Sequence, residues 1–342
     1  MSRRALVVEQ PGTLALLERA ELVPGRGEVV VRPSYCGVCG TDLELLRGQV
    51  DAAFVRYPLT LGHEWSGTIE AVGAGVEGLV PGQRCVGEGI IPCGRCAPCR
   101  AGATNVCLAY DEIGFTREGA ASDQLLLPAR VVHPLGDNVS LLDAALTEPS
   151  AVVLTGLLKA RPTRGQRVLV VGDGTIGLLA AHLATLWSPA ELAMAGRREE
   201  QRELARSVGA TSFELADPPS DAGYDLVIEA TGVAAAIPVA VHAARRGGTV
   251  LLLGLPPSGS TFELPADLLV NNDLTLAASF GYTSGAWSRV VQLLDAGLIE
   301  PGRIVTHRFA LADYAAAFAA LEGATGPRGK VMLEVTSPRP SR

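Results

Sequence analysis

Four cysteines, Cys93, Cys96, Cys99 and Cys107, fall within fifteen residues in the run CGRCAPCRAGATNVC, spaced C-x2-C-x2-C-x7-C. Gly94, Pro98 and Gly102 supply turns that let such a loop fold four thiolates around one tetrahedral Zn²⁺, each sulfur about 2.3 Å from the metal. An iron–sulfur cluster also takes four cysteines, but its familiar runs are spaced differently. Disulfides are disfavoured, because the seven cysteines of the chain cannot all pair and MSRRALVVEQPG lacks the apolar core of a secretory leader. Four thiolates leave zinc no open coordination position, so this metal would hold a loop in shape. Chemistry has to come from elsewhere.

A second constellation is the run VLVVGDGTIG, in which Gly172, Gly174 and Gly177 form G-x-G-x-x-G after an apolar strand and at the head of an apolar helix. There the glycines permit a tight turn, close approach of a pyrophosphate and close helix–strand packing, and the helix N-terminus offers N–H groups to phosphates. An acidic residue about 20 positions further on would hold the ribose hydroxyls of NAD. Gly196 stands there instead, followed by Arg197 and Arg198. A carboxylate at that place would repel a 2′-phosphate, whereas guanidinium groups bind phosphate oxygens bidentately. The expected cofactor is NADP(H), although the two arginines also read as the solvated start of a helix, RREEQR.

Three shorter fragments hold further candidates. CGVCGTD carries Cys36, Cys39, Thr41 and Asp42, LGHEWSG carries His63 and Glu64, and LTEPSAV carries Glu148. Each alone is weak, since an isolated cysteine is commonly a small buried hydrophobe. Taken in order with the cysteine lobe and the glycine motif, they make the chain resemble the zinc-dependent alcohol and polyol dehydrogenases of the medium-chain dehydrogenase/reductase family. The resemblance covers nearly the whole length. It implies an α/β chain: a GroES-like, mostly-β catalytic domain at 1–150 and 280–342, with the zinc lobe at 93–107, around a Rossmann domain with a doubly wound parallel sheet at 151–279.

The same resemblance implies two zinc ions per chain. Cys39 and His63 would bind the catalytic one, with Glu64 and Glu148 ligating it or stepping back, and Asp42 would accept a hydrogen bond from His63. Such a zinc acts as a Lewis acid on an alcohol or carbonyl oxygen, while Thr41 offers its hydroxyl to that oxygen and passes the proton on. Thr175, Ile176, Thr231, Gly254, Leu255 and Phe280 join the cofactor site. The implied substrate is a small secondary alcohol of polyol, sugar or cyclitol type, or its ketone, and the implied assembly is a homodimer or homotetramer. Two rival functions stay open: a zinc-containing reductase of conjugated C=C or C=N bonds, and a non-catalytic nucleotide-binding relative.

Some residues depart from the family pattern. Glu44 replaces the histidine that often ends the proton relay; it could relay protons, bind substrate hydroxyls, or be a solvated acid. GAASDQ, Gly119 to Gln124, has Ala121 where phenylalanine is usual, which would widen the substrate pocket. Cys36 and Cys85 read as packing thiols.

The elements that must position these groups change texture near residue 150. Before it come alternating or β-branched runs, EVVVRPSYCGV, HEWSGTIEAVG and SDQLLLP, split by Gly and Pro as strands are. After it, apolar strands such as ELAMAG, DLVIEATG and TVLLLGLPP alternate with helical stretches such as REEQRELARSVG and AAAIPVAVHAARRGG, the pattern of a parallel sheet. Two more helices, AWSRVVQLLDAG and ADYAAAFAALEG, precede a last strand, KVMLEV, and a polar tail, TSPRPSR. With 48% hydrophobic residues the chain can bury substantial cores, and its net charge of −7 argues against a nucleic-acid partner. No run approaches the roughly 18 apolar residues of a membrane span, so a cytoplasmic protein is expected.

Overall fold

EVVVRPSYCGV forms the strand Glu28–Val38, whose valines at 29 to 31 are buried on the core. Trp65–Val72 pairs with it antiparallel, and so do Lys330–Glu334 and Leu125–Pro128. The sheet continues through Arg84–Gly87 and Val132–Pro134 on one side and Val305–Ala310 on the other. A smaller sheet joins Thr13–Ala20, Ser2–Gln10 and Leu59–Thr60. In the register of the larger sheet Cys36 faces Trp65, and Val38 faces Val331. That register sets three strand ends side by side: the exit after Val38, the entry before Trp65, and the start at Lys330.

The computed structural model describes residues 2–215, 223–323 and 325–335; the polar run TSPRPSR lies outside the described residues. The chain divides into two compact units. One comprises the described residues of Met1–Glu148, Thr283–Ala324 and Lys330–Arg342, and the other those of Pro149–Tyr282 and Thr325–Gly329. The segment Thr325–Gly329 therefore groups with the second unit, where the sequence had put everything from 280 onward in the first.

The second unit is built on six parallel strands in the order Ser212–Leu215, Glu191–Gly196, Arg167–Val171, Tyr224–Glu229, Ala244–Leu252, Thr275–Ala278. The apolar run RVLVV suits a strand covered on both faces. Strand order reverses between Arg167–Val171 and Tyr224–Glu229, and ligands of doubly wound sheets bind outside the carboxyl ends of strands at that switch. This is the Rossmann arrangement. REEQRELARSVG enters as a 3-10 turn, Glu199–Gln201, before the helix Arg202–Ser207, and the helix Ala236–Ala243 stops where ARRGG joins the next strand. No helix among the described residues is long and apolar enough to cross a membrane.

Candidate active site

In the cysteine lobe, the helix Ala97–Arg100 and the turn Thr104–Val106 bring the four sulfurs within 4.8 Å of one another. Cys96 and Cys107 sulfurs are 4.0 Å apart, close to the roughly 3.8 Å edge of a tetrahedron with 2.3 Å bonds. Backbone N–H groups of Cys93 and Ala109 donate to the Cys107 sulfur at 3.3 and 3.4 Å. Those of Arg95 and Cys96 hold the Cys93 thiol down to about 6, because donors aimed at sulfur favour the thiolate. The lobe thus fits one metal ion. It is tied to the rest of its unit through Thr104, whose hydroxyl accepts the Ser284 N–H at 2.8 Å, while Ser284 donates to the buried Glu88 at 2.5 Å.

The second cluster forms where the three strand ends meet. Cys39 caps the helix Gly40–Arg47, and its N–H donates to Asp42 Oδ2 at 2.8 Å. Ligand atoms of Cys39, His63 and Glu64 lie within 4.8 Å of one another, and Thr41 Oγ1 is 3.8 Å from the Cys39 sulfur. Burial opposes charge on His63, yet Asp42, the Cys39 sulfur and Glu148 together hold its imidazole well above its ordinary pKa. So the pocket of anions calls for a cation, and a soft sulfur, an imidazole and a carboxylate are donors that zinc accepts.

Several site residues differ from expectation. The hydrogen bond from His63 to Asp42 is absent: Nδ1 stands 3.7 Å from Oδ1, and both atoms are buried without a hydrogen-bond partner. Asp42 is held back by its bond to the Cys39 N–H. Glu148 is outside the set of mutually close ligand atoms. Burial pushes its carboxyl up to about 8, with Glu64 and Glu112 adding to the shift and His63 and Lys330 opposing it. Glu44 is exposed on the helix after Cys39. Ala121 is buried in the core of the first unit, its backbone bonded to Leu61 and Leu6, so its small side chain leaves room in packing. Cys36 and Cys85 are buried thiols, and burial pushes Cys85 up to about 12.

Two residues here carry no local mark of their place in the site. Lys330 Nζ donates to Glu64 Oε1 at 2.6 Å, and Tyr110 donates to Glu112 Oε2. A lysine ahead of an apolar strand reads as a solvated end, and only the long-range register shows it buried. Gly37 makes the space, since a Cβ there would stand 2.3 Å from Glu64 Oε2 and 2.8 Å from the Lys330 stem.

In the second unit Gly172 has φ +120°, and Gly177 lies so close that a Cβ would meet the Gly172 carbonyl at 2.0 Å. A Cβ at Gly174 would meet nothing within 4 Å, which leaves the N-terminus of the helix Thr175–Ala184 open to phosphate oxygens. Ile176 is half-buried, and Thr175 spends its hydroxyl on the Gly329 carbonyl at 2.8 Å. Thr231 donates its N–H to the buried Glu229 at 2.7 Å, and Gly254 packs against Gly232 and Glu229 where a Cβ would not fit. Leu255 and Phe280, just past two strand ends, are exposed large apolar side chains. At the second strand end the cradle beside Gly196 holds a carboxylate after all: Asp173 Oδ2 accepts the N–H groups of Arg197 and Arg198 at 3.1 and 3.2 Å.

Residues 25–137 match the family model described as alcohol dehydrogenase GroES-like domain, and residues 175–296 match that described as zinc-binding dehydrogenase. An L-threonine 3-dehydrogenase of Burkholderia ambifaria MC40-6 is 32% identical across 98% of this chain and 100% of its own. This chain belongs to the zinc-type medium-chain dehydrogenase/reductase family. Two solved structures align closely with it. A zinc-binding dehydrogenase from Sinorhizobium meliloti 1021, bound to NADP, superimposes with a TM-score of 0.92 at 29% identity, over 98% of this chain and 100% of that one. An alcohol dehydrogenase from E. coli CFT073, complexed with NADH, gives 0.90 at 27% identity, over 98% and 99%. Membership makes this chain an oxidoreductase of the alcohol-dehydrogenase type.

Proposed function

We propose that the chain is a zinc-dependent dehydrogenase that interconverts a small secondary alcohol and its ketone with NADP(H), carrying one structural zinc on Cys93, Cys96, Cys99 and Cys107 and one catalytic zinc on Cys39 and His63. The observation that carries this is the convergence of Cys39, His63 and Glu64 beside the Thr41 hydroxyl. Zinc bound there supplies Lewis acidity to the substrate oxygen. Thr41 would take the alcohol proton and release its own to solvent while the carbon's hydride passes to NADP⁺, and Cys39 and His63 would hold the metal that receives the substrate oxygen. Glu64, neutralised by Lys330, and Glu148, whose carboxyl is pushed up by burial, bring carboxylates to the site without adding two uncompensated charges. The glycine loop receives the pyrophosphate, and the guanidinium groups of Arg197 and Arg198 support the choice of NADP(H), against the Asp173 carboxylate that holds their N–H groups.

For the substrate, polyols, cyclitols and L-threonine, which names the curated relatives, share a secondary hydroxyl beside another polar group. We take that as the substrate class. A panel of polyols, aminocyclitols and L-threonine, followed by nicotinamide absorbance with both cofactors, tests it. Turnover of conjugated alkenes alone would move the chain to the C=C reductases. A homo-oligomer is part of the proposal: Thr275–Ala278 ends its sheet with Leu276 and nearby Val270 exposed, an edge that pairing would protect. Light scattering on the eluted protein reads the stoichiometry.

A further inference from the structure

Asp173 occupies a variable position of the glycine loop, where a phosphate site has no use for a negative charge. Its surroundings give it another role. Two consecutive backbone N–H groups, of Arg197 and Arg198, converge on Oδ2, and Arg198 Nη2 lies 3.1 Å from Oδ1. Successive N–H groups with a guanidinium are the ligands of an oxyanion. Beneath them the fully buried Gln201 donates to the carbonyls of Asp173 and Arg328, the latter at 2.9 Å, and accepts the Arg328 N–H at 2.8 Å. This fixes the segment Thr325–Gly329 next to the loop. Burial lowers the Arg328 pKa, with Arg198 lowering it further and Asp173 opposing, so its guanidinium senses both neighbours. Arg198 therefore pairs with the carboxylate directly, and Gln201 seats Arg328 on the same side of the loop. Gly196 leaves the room for it: a Cβ there would stand 2.7 Å from Asp173 Oδ2 and 2.8 Å from the Phe213 ring.

We propose that Asp173 is a built-in anion in the cradle for the 2′-phosphate of NADP(H), and that it sets how strongly the chain discriminates NADP(H) from NAD(H). The inference rests on the dinucleotide reading above. A 2′-phosphate that enters must take the Arg197 and Arg198 N–H groups and the Arg198 guanidinium away from Asp173, against like-charge repulsion. An unphosphorylated ribose leaves Asp173 in place, and a carboxylate has spare lone pairs for the 2′-hydroxyl. The acid missing from position 196 is thus delivered from the glycine loop. Arg328 is the second cation on which an incoming phosphate relies.

The test is calorimetric titration of 2′,5′-ADP and 5′-AMP into wild type, Asp173→Asn and Arg328→Ala, all zinc-loaded. Asparagine keeps an oxygen for the two N–H groups and removes the charge. Asp173→Asn should raise affinity for 2′,5′-ADP over 5′-AMP by roughly 10-fold or more, the scale of one charged hydrogen bond. Arg328→Ala should weaken 2′,5′-ADP and spare 5′-AMP. If Asp173→Asn does not fold, Asp173→Ser carries the same expectation. A ratio unmoved in the folded variant, or moved toward 5′-AMP, overturns the role of Asp173 alone. Failure of wild type to bind either nucleotide overturns the dinucleotide reading and this inference with it.

Discussion

Lys330 Nζ lies 2.6 Å from Oε1 and 2.5 Å from Oε2 of Glu64, and both side chains are 2% exposed. A buried ion pair is weak evidence for net stability, but removing one partner strands the other charge at a cost of about 3–5 kcal/mol. Lys330→Met should therefore lower the stability of metal-free protein by about 3–5 kcal/mol in denaturant melts. The double variant Lys330→Met/Glu64→Gln should recover most of that loss. Additive single effects would show that the two charges are not coupled.

Metal content separates the two clusters. Cys99→Ser should lose one zinc by elemental analysis and lower stability, with turnover falling only as folded protein is lost. Cys39→Ala should lose the other zinc, abolish turnover and still bind cofactor. A stable Cys99→Ser protein without turnover would put the lobe metal in the chemistry.

Thr41 tests the proton path. Thr41→Ala should keep both zinc ions and fall in kcat by about 10²–10⁴-fold, the usual contribution of positioned acid–base help. Thr41→Ser, which keeps the hydroxyl, should restore most of it. Wild-type turnover in the alanine variant would remove Thr41 from the relay.

The space around Gly196 shapes the fourth expectation. Gly196→Asp meets Asp173 and the buried Phe213, so alone it should lower stability and weaken both cofactors. Paired with Asp173→Ala, which frees most of that room, it should turn preference toward NADH. Side-by-side Michaelis constants for NADH and NADPH in the single and double variants read this out.

How legible each part was depended on how local its determinants are. The cysteine lobe could be read directly, because its four ligands lie within one loop. The strands of the Rossmann sheet were visible as apolar runs between helices. Cys39 and the adjacent pair His63 and Glu64 come from two different strand ends, and only the family resemblance joined them before the register did. Lys330 escaped because burial by a distant partner leaves no local mark on a lysine. Asp173 escaped because the glycine motif is silent at that position, so Gly196 read as a missing acid when it is the gap that admits one. Val305–Ala310, where Thr306, His307 and Arg308 interrupt the few apolar residues, offered no strand pattern at all.

The pairing of Glu28–Val38 with Lys330–Glu334 has a consequence for how the protein is made. Some 292 residues separate Val38, at the end of one partner, from Lys330, at the start of the other. At about 5–20 residues per second the earlier strand waits roughly 15–60 s for its neighbour. Through that interval its edge is shielded only over Glu28–Val31, where Leu125–Pro128 can pair, while Tyr35–Val38 stays open. The segment that completes the glycine-loop side, Thr325–Gly329, arrives just before Lys330. The nascent chain thus carries an unpaired strand end beside its future metal ligands until Lys330–Glu334 has been made, a vulnerable period in which chaperone occupancy should be greatest.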